Sequence, residues 1–445
     1  MTKRSLLLAV ALAVPAPALA APALDVPAAK ARIEASLAKT YPDLESLYKD
    51  LHTHPELAFQ ENRTAALLAA RMRKLGFTVT EHIGKTGIVA VLRNGPGPTI
   101  LVRTELDALP VEEKTGLPYA STVQAADGNG GTTFVDHACG HDSHMAWWIG
   151  TAEALLAMKD QWHGTLLFVG QPAEEIVSGA KAMLADGLFA KFPKPDFGFA
   201  AHVDSSAIGT VKVKQGVVTS ASDTVLITFK GVGAHGSSPD KSIDPIIEGA
   251  HFVNDVQTVI SRQKDPQKFG VVTVGAFHAG SAANIISDHA DLKLTLRSYD
   301  PDVRKVLNDG VVTTANAVAM MANAPAPDIQ HPFAANPVHN DSALAASMAT
   351  TLIAALGEGN VILASEEKPG WTASEDYSEF VDAGMPHSVY FSIGGYAPEM
   401  IAKYKAEGKP LPSNHSPYFA PVPEPTIRTG VETLTLAVLS VAGTR

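Results

Sequence analysis

The chain has 445 residues, of which 46% are hydrophobic and 18% charged, and this predicts a globular protein large enough for two domains rather than a small stapled module. Its formal net charge is −11, so we expect neither nucleic acid nor anionic membranes as partners, because both repel a negatively charged protein. A single cysteine, Cys139, excludes an internal disulfide.

The first residues have the pattern of a cleaved secretory signal. A basic start with Lys3 and Arg4 precedes an apolar stretch at 6–14, and Ala18-Leu19-Ala20 follows as a small-residue cleavage pattern. We therefore exclude residues 1–20 from the fold and expect a periplasmic or secreted protein. No later apolar run approaches the roughly 18 residues that a membrane helix needs, so no membrane anchor is expected.

Short apolar strands that alternate with helices predict an α/β fold for the first half of the chain. Residues 21–39 are rich in Ala and Pro and form either a poorly ordered lead-in or a helix, and the domain proper is expected to begin near Tyr41. An apolar face at 64–75, followed by Gly76, predicts a helix that ends at a left-handed cap. The other predicted elements are strands at 77–79, 87–92, 99–104, 165–169 and 197–201 and a helix at 144–158.

A segment of different character follows. Residues 223–230 alternate between apolar and polar like a half-buried strand, and further strands are predicted at 271–276 and 291–298. We therefore predict a smaller α+β domain inserted into a mixed-sheet α/β/α domain. The predicted bounds are 41–218 with 334–445 for the larger domain and 219–333 for the inserted one. One continuous large sheet is the alternative.

The densest group of potential metal ligands is DHACGHDSH at residues 136–144. Cys139 and His141 are separated by one small residue, so a thiolate and an imidazole can both reach one ion, and Gly140 lets the backbone turn between them. A pH-sensitive loop or a helix cap is the alternative on local grounds. Holding an ion requires more ligands from elsewhere in the chain.

Two predicted strands end at further candidate ligands. Strand 165–169 runs into GQPAEE, which carries Glu174 and Glu175, and strand 197–201 runs into His202. Open α/β sheets place their sites at strand ends. Adjacent carboxylates point in different directions, so one can bind metal while the other faces the substrate. Paired acidic residues more commonly mark a solvent-exposed helix start, and this remains the alternative.

Seven short motifs occur in the order that is typical of a known family. They are RTELDALP (103–110), DHACGHD (136–142), QPAEE (171–175), HV (202–203), GAHGSSP (233–239), SEDYS (374–378) and NHSP (414–417). In this order they resemble the N-acyl-amino-acid amidohydrolases, the branch of the aminoacylase and carboxypeptidase-type dinuclear metallopeptidases that includes hippurate hydrolases and plant auxin-conjugate hydrolases. The resemblance covers nearly all of residues 45–440, and the ordered set is far more specific than any single motif.

The resemblance implies a hydrolase with two divalent metal ions, expected to be zinc or manganese. The implied metal ligands are Cys139, His141, Glu175, His202 and His415. It further implies that Glu174 is the catalytic acid/base, which takes a proton from a metal-activated water and passes it to the leaving nitrogen. The assignment of His415 depends on the NHSP motif alone, because a histidine in a Pro-rich loop carries no such signal by itself.

Three further residues are implied to bind the substrate. His235 and Asn284, in the inserted domain, match positions that contact the substrate or the developing oxyanion, with the histidine reaching across a dimer. Arg297 is expected to bind the substrate carboxylate. The inserted domain would act as a lid and dimerisation surface, so a homodimer is expected. An ordinary loop or strand role is the alternative for each of the three residues.

The sequence departs from the family pattern after the predicted strand 99–104. Where the branch usually has Asp-x-Asp, this chain has Glu105-Leu106-Asp107, so the first carboxylate reaches one methylene further. Asp107 is expected to orient a ligand imidazole without touching the ion, and the metal geometry near Glu105 is left open. In SEDYS, Tyr377 stands where relatives often have Phe, with little expected effect.

The sequence therefore predicts an enzyme that hydrolyses the amide bond of an N-acyl amino acid or small peptide. A dipeptidase or aminopeptidase on the same scaffold is the first alternative, and it would recognise a free amino terminus. A non-catalytic binding protein that kept the fold is the second, although the intact Glu174 and the candidate ligands argue against it. A Ser-His-Asp hydrolase has little support, because no G-x-S-x-G elbow follows a strand.

Overall fold

A computed structural model describes residues 24–127 and 130–442 of the chain. The predicted signal sequence, residues 1–20, lies outside the described residues. Within the described ranges, no helix combines the length and the apolar composition that a bilayer crossing requires.

Strands and helices alternate along most of the chain. The strands are β1 Thr78–Ile83, β2 Gly87–Asn94, β3 Thr99–Glu105, β4 Gln124–Ala126, β5 Thr132–Phe134, β6 Gly164–Gln171, β7 Phe197–Ala207, β8 Val211–Lys214, β9 Gly216–Val217, β10 Ala221–Lys230, β11 Ala234–His235, β12 Gly270–Ala279, β13 Ile285–Ile286, β14 His289–Ser298, β15 Asp328–Ala335, β16 His339–Asn340, β17 Val361–Ala364 and β18 His387–Tyr396. The helices are α1 Val26–Thr53, α2 Asn62–Lys74, α3 His141–Ala157, α4 Gly179–Ala185, α5 Leu188–Lys191, α6 Pro245–Asp255, α7 Pro301–Met321, α8 Ser342–Leu356, α9 Ser378–Asp382, α10 Pro398–Ala406 and α11 Pro423–Val441.

The central sheet is mixed and has the strand order β1-β2-β6-β3-β7-β18-β8-β17. The four strands β6, β3, β7 and β18 run parallel in its middle, and β2 and β8 join this block through antiparallel pairs. Every residue of β6 is buried, as expected for a parallel strand with both faces covered.

Helices cover both faces of this sheet. Along β6, Leu166 and Phe168 face a core shared with α1, α2, α3, α8 and α11. Leu167 and Val169 face the opposite core, which α4, α5 and α9 complete. Successive residues of a strand point to opposite faces, so these are two separate layers of helices. The predicted α/β/α architecture is confirmed.

A second sheet of four antiparallel strands, β12-β14-β10-β15, lies apart from the first. Together with α6 and α7 it forms its own core, which includes Phe229, Phe252 and Leu307. Its strands extend from Ala221 to Ala335, against predicted bounds of 219–333. The inserted α+β unit is therefore present, and the alternative of one continuous sheet is wrong.

Several elements extend further than the sequence predicts, and α1 and β7 are the two that change the predicted organisation. Helix α1 begins at Val26, where the side chain of Asp25 caps it, so the ordered fold starts before Tyr41. Its residues Ile33 and Leu37 are buried in the core of the central sheet, which is why this Ala-rich segment is a helix and not a lead-in. Strand β7 continues past residue 201 to Ala207 and therefore contains His202.

Helix α3 is buried on nearly all sides, because it packs against α1, α11 and the sheet. Glycines permit the close contacts. A Cβ added at Gly150 would lie 2.5 Å from Val431 Cγ2, and one added at Gly430 would lie 2.4 Å from the ring of Trp147. The helix begins after Gly140, whose φ of 89° favours glycine, so the chain makes the expected tight turn there.

We expect Gly430→Ala to destabilise the protein by about 1–3 kcal/mol, because the added methyl group overlaps the enclosed ring of Trp147. Gly359→Ala is the matched control, since a Cβ added there meets no atom within 4 Å, and its effect should stay within about 0.5 kcal/mol. The midpoints of urea unfolding, followed by circular dichroism, measure both. Equal midpoints for the two variants would contradict the close crossing of α3 and α11.

Candidate metal centre

Ligand-type side chains from four separate segments meet at one edge of the central sheet. They are Cys139 and His141 at the turn into α3, Glu174 and Glu175 after β6, His202 in β7, and His415 in the loop before α11. The fold thus brings together every residue that the sequence proposed as a metal ligand, and it places the proposed acid/base beside them.

Cys139 lies in the middle of this group. Its Sγ is 3.3 Å from His202 Nε2 and 3.3 Å from His415 Nε2. Glu175 Oε2 lies 3.3 Å from His415 Nε2, and Glu175 Oε1 lies 3.8 Å from His141 Nε2. The ligand atoms of Cys139, His141 and His202 all lie within 4.8 Å of one another, as do those of Cys139, Glu175 and His415. Two overlapping sets of this kind offer positions for two neighbouring ions.

The imidazole rings present Nε2 to this centre. His141 Nδ1 donates to the backbone oxygen of Asp107 at 2.8 Å, and His202 Nδ1 donates to that of Val203 at 2.8 Å. A neutral imidazole protonated at Nδ1 keeps a lone pair on Nε2, which is the form that binds metal. Among the described residues, His141 Nε2 and Glu175 Oε1 are buried without a hydrogen-bond partner. These atoms therefore fit a divalent cation.

Burial disfavours charge on these side chains. It lowers the pKa of His141 well below its usual range and also lowers the pKa of His415. It raises the pKa of the Cys139 thiol well above its usual range and the pKa of Glu175 to about 8. A divalent cation has the opposite effect on the thiol and the carboxylate, because it stabilises their charged forms. The centre thus has ligands whose charge a cation would balance.

Glu174 stands beside the ligands with its carboxylate in the cleft. Its Oε2 lies 3.8 Å from His141 Nε2. Burial raises the pKa of Glu174 well above its usual range, and the neighbouring carboxylates of Glu375 and Glu175 raise it further. A carboxylate with a raised pKa can both accept and release a proton near neutral pH, as an acid/base residue must.

Hydrogen bonds made by the side chain of Asn414 and by the backbone of His415 hold His415 in position. Asn414 Nδ2 donates to the backbone oxygens of Cys139 at 3.0 Å and Val203 at 3.1 Å, and the backbone N–H of His415 donates to Ala138 at 2.8 Å. His415 has a φ of 71°, a conformation that costs a non-glycine residue roughly 1–3 kcal/mol. The loop is therefore fastened to the Cys139 turn in a conformation that points the imidazole at the thiol.

Two buried carboxylates hold the turn that carries Glu174 and Glu175. Ala173 has a φ of 50°, and its N–H donates to Glu61 Oε1 at 2.8 Å. Glu61 is fully buried and was not identified from the sequence. Asp107 Oδ2 accepts from the N–H of Glu175 at 2.9 Å, so the Asp107 carboxylate holds this turn while its backbone oxygen orients His141.

Arg103 fills the space beneath the same turn with a buried guanidinium. Its Nη2 lies 2.7 Å from Glu375 Oε1 and 3.4 Å from Asp376 Oδ1, and its Nε donates to Gln171 Oε1 at 2.9 Å. Glu105 contacts Arg103 and accepts from a buried histidine, His144, whose Nδ1 lies 2.9 Å from Glu105 Oε2. The Glu105 carboxylate therefore belongs to this network. Sequence reasoning missed Arg103, although a charged residue within an apolar strand was a usable signal.

The metal centre opens into a cleft of about 920 Å³ between the two sheets. The second sheet contributes Arg297, Thr224 and Phe333 to its walls. Arg297 Nη1 donates to Ser222 Oγ at 2.6 Å and to the backbone oxygen of Leu296 at 3.0 Å. Within the described ranges, no carboxylate lies at salt-bridge distance from Arg297. Its cationic head is therefore available to an anion in the cleft.

His235 and Asn284 lie away from the metal centre. Both are exposed and line a separate cavity of about 750 Å³ around β11 and β13. His235 Nδ1 lies 2.8 Å from Ser237 Oγ. The structure does not bring these two residues to the metal centre of their own chain, so their proposed contact with substrate across a dimer stays a prediction.

Comparison with known proteins gives consistent matches. The profile of peptidase family M20/M25/M40 matches residues 101–439. The hippurate hydrolase of Campylobacter jejuni is 39% identical over 285 residues, which are 62% of this chain and 70% of that protein. The N-acetylcysteine deacetylase of Bacillus subtilis is 33% identical over 79% of this chain and 88% of its own length. Among solved structures, the YXEP protein of Bacillus subtilis, a dinuclear metal-binding peptidase from the M20 family, has a TM-score of 0.70 and 26% identity over 91% of this chain and 99% of that one.

We expect Arg103→Met to destabilise the protein by about 3–5 kcal/mol, because it leaves the buried carboxylates of Glu105, Glu375 and Asp376 without their cation. Arg32→Met is the matched control. It removes a cation that pairs with Asp160 at the surface, where an ion pair contributes at most about 1 kcal/mol. Thermal and urea unfolding of both variants measure the difference, and a loss no larger for Arg103→Met than for the control would contradict the network.

Proposed function

The chain belongs to peptidase family M20/M25/M40, and from that premise we propose that it is a dinuclear metal hydrolase that cleaves the amide bond of N-acyl amino acids. The observation that carries the proposal is the convergence of a thiol, imidazoles and a carboxylate on one centre, with the buried Glu174 beside them. The hippurate hydrolase and deacetylase among its relatives support the same reaction class.

The proposed ligands are Cys139, His141, Glu175, His202 and His415. Divalent cations held there would supply Lewis acidity for the scissile carbonyl and a lowered pKa for water. Glu174 accepts the proton of the attacking water and delivers it to the leaving nitrogen, because its carboxylate faces the cleft next to the ligands. A mixture of thiolate, imidazole and carboxylate ligands suits zinc and also admits manganese. We propose zinc or manganese.

The charges of the cleft favour an acylated substrate over one with a free amino terminus. Arg297 offers a cation for the substrate carboxylate. The acidic residues of the cleft walls are already engaged, since Asp204 pairs with Lys212 at 2.7 Å and Glu375 with Arg103. Among the described residues that line the cleft, a charged ammonium group would therefore find no free carboxylate outside the metal centre. This contrast favours N-acyl amino acids over the dipeptidase alternative.

Two further features remain proposals. We propose that the chain is exported, on the basis of residues 1–20, and that it forms a homodimer through the inserted unit, on the basis of its resemblance to the amidohydrolase family.

We expect Glu174→Gln to lower kcat for hippurate and N-acetyl amino acids by roughly 10²- to 10⁴-fold, because the amide keeps the shape of the side chain but cannot accept the proton. Metal content should stay at two equivalents at this centre. Glu399→Gln, an exposed acid at the start of α10, should leave kcat unchanged.

Chelation of the wild-type enzyme should abolish turnover, and added zinc or manganese should restore it. Turnover of Glu174→Gln within a few fold of wild type, at equal metal content, would remove Glu174 from the mechanism.

We expect Arg297→Gln to lower kcat/KM for N-acyl amino acids by roughly 10- to 100-fold, because a charged hydrogen bond to the carboxylate is lost. Substrates in which that carboxylate is converted to an amide should be affected far less. Arg262→Gln, an exposed arginine of the same unit, is the control. An equal loss for both substrate classes would show that Arg297 acts on folding or on the metals and not on the carboxylate.

A further inference from the structure

A second buried group of ligand-type side chains lies outside the metal centre. His52 stands in the last turn of α1, Glu113 in the loop after β3, and Asp136 in the segment that precedes Cys139. One ligand atom from each lies within 4.8 Å of the other two. None of the three belongs to the proposed ligand set of the metal centre, and the proposed function gives them no role.

The orientation of the His52 ring points to a bound positive charge. Its Nδ1 lies 2.6 Å from Asp142 Oδ2, and its Nε2 lies 3.2 Å from Glu113 Oε2. When Nδ1 donates to Asp142, Nε2 of the neutral ring carries a lone pair that faces a carboxylate oxygen. Two lone pairs at this distance repel each other unless a proton or a metal cation lies between them. Ligand bonds of about 2.0–2.2 Å place neighbouring ligand atoms of one ion at a similar separation.

Asp136 supplies an independent observation. Its side chain is 1% exposed, and within the described ranges neither carboxylate oxygen has a hydrogen-bond partner. Its backbone is held by reciprocal hydrogen bonds with Leu109, at 2.9 and 3.0 Å, and a carboxylate oxygen lies within 4.8 Å of the ligand atoms of His52 and Glu113. A buried carboxylate without a partner is costly, and a cation shared with the other two side chains removes that cost.

The surroundings strengthen such binding. The rings of Tyr48 and Tyr119 lie 5.8 Å and 5.3 Å from the ring of His52, and they shield the group from water. Poor access of water strengthens the attraction between a cation and the carboxylates. Asp142 accepts a hydrogen bond from Nδ1 of His52. A carboxylate commonly accepts from the non-ligating nitrogen of a metal-bound histidine.

We propose that His52 Nε2, Glu113 and Asp136 bind a third divalent cation, separate from the metal centre. One imidazole nitrogen and two carboxylates suit zinc or manganese. The ion would join the end of α1 to the segment that leads into Cys139, so its role is structural and it fixes the position of that segment. The rival occupant is a proton on Nε2, which accounts for the contact of His52 with Glu113 but leaves Asp136 without a partner.

Anomalous diffraction of wild-type crystals, with the chelated protein reloaded with zinc or manganese, tests the proposal directly. A peak between His52, Glu113 and Asp136, in addition to any peaks at Cys139 and Glu175, is the expected result. Absence of that peak overturns the proposal and favours the proton. Peaks are located individually, so a missing ion at the metal centre would count against the proposed function without affecting this inference.

Metal analysis in solution provides a second, independent test. Asp136→Asn keeps the shape of the side chain and should bind one metal equivalent per chain fewer than wild type, with a smaller rise in melting temperature on reloading. Asp240→Asn, an exposed acid, is the matched control and should bind the wild-type amount. Equal metal content in Asp136→Asn and the control, both shown to be folded by circular dichroism, would contradict the proposal.

Discussion

The guanidinium of Arg103 is buried, and it meets the carboxylates of Glu375 and Asp376. Removing such ions from water costs roughly several kcal/mol for each ion. The contacts offset that cost only because the N–H donors of the guanidinium face carboxylate oxygens. The same guanidinium binds Gln171, the residue from which the chain turns toward Glu174. The stability of the network and the position of Glu174 therefore depend on one cation.

The protein itself orients the proposed ligands of the metal centre. Backbone oxygens hold Nδ1 of His141 and His202, and Asn414 fastens the loop of His415 to the turn at Cys139. The lone pairs on Nε2 are thus directed toward the centre by hydrogen bonds that do not involve an ion. Supporting bonds of this kind reduce the reorganisation that binding requires. The centre is in this sense preorganised.

Much of the fold was predictable, because apolar periodicity determines which segments become buried strands. The residues of the centre were predictable for two different reasons. Cys139 and His141 stand out by their local spacing, whereas His415 could be proposed only through resemblance, since its approach depends on a positive φ and on contacts of Asn414. Glu61 was missed because its role depends on a backbone N–H more than 100 residues away, and no local pattern records such a pairing.

The segment from Asp136 to Asp142 shows how a dense motif can mislead about a single site. Cys139 and His141 belong to the metal centre, whereas Asp136 and Asp142 lie close to His52. The turn at Gly140 lies between Cys139 and His141 and lets both reach the metal centre, while Asp136 and Asp142 stand outside this pair in the sequence. The concentration of ligand types in nine residues therefore reflects two buried clusters that share one stretch of backbone. The end of α1 and the metal centre are therefore connected through one short stretch of backbone, whose side chains contribute to both clusters.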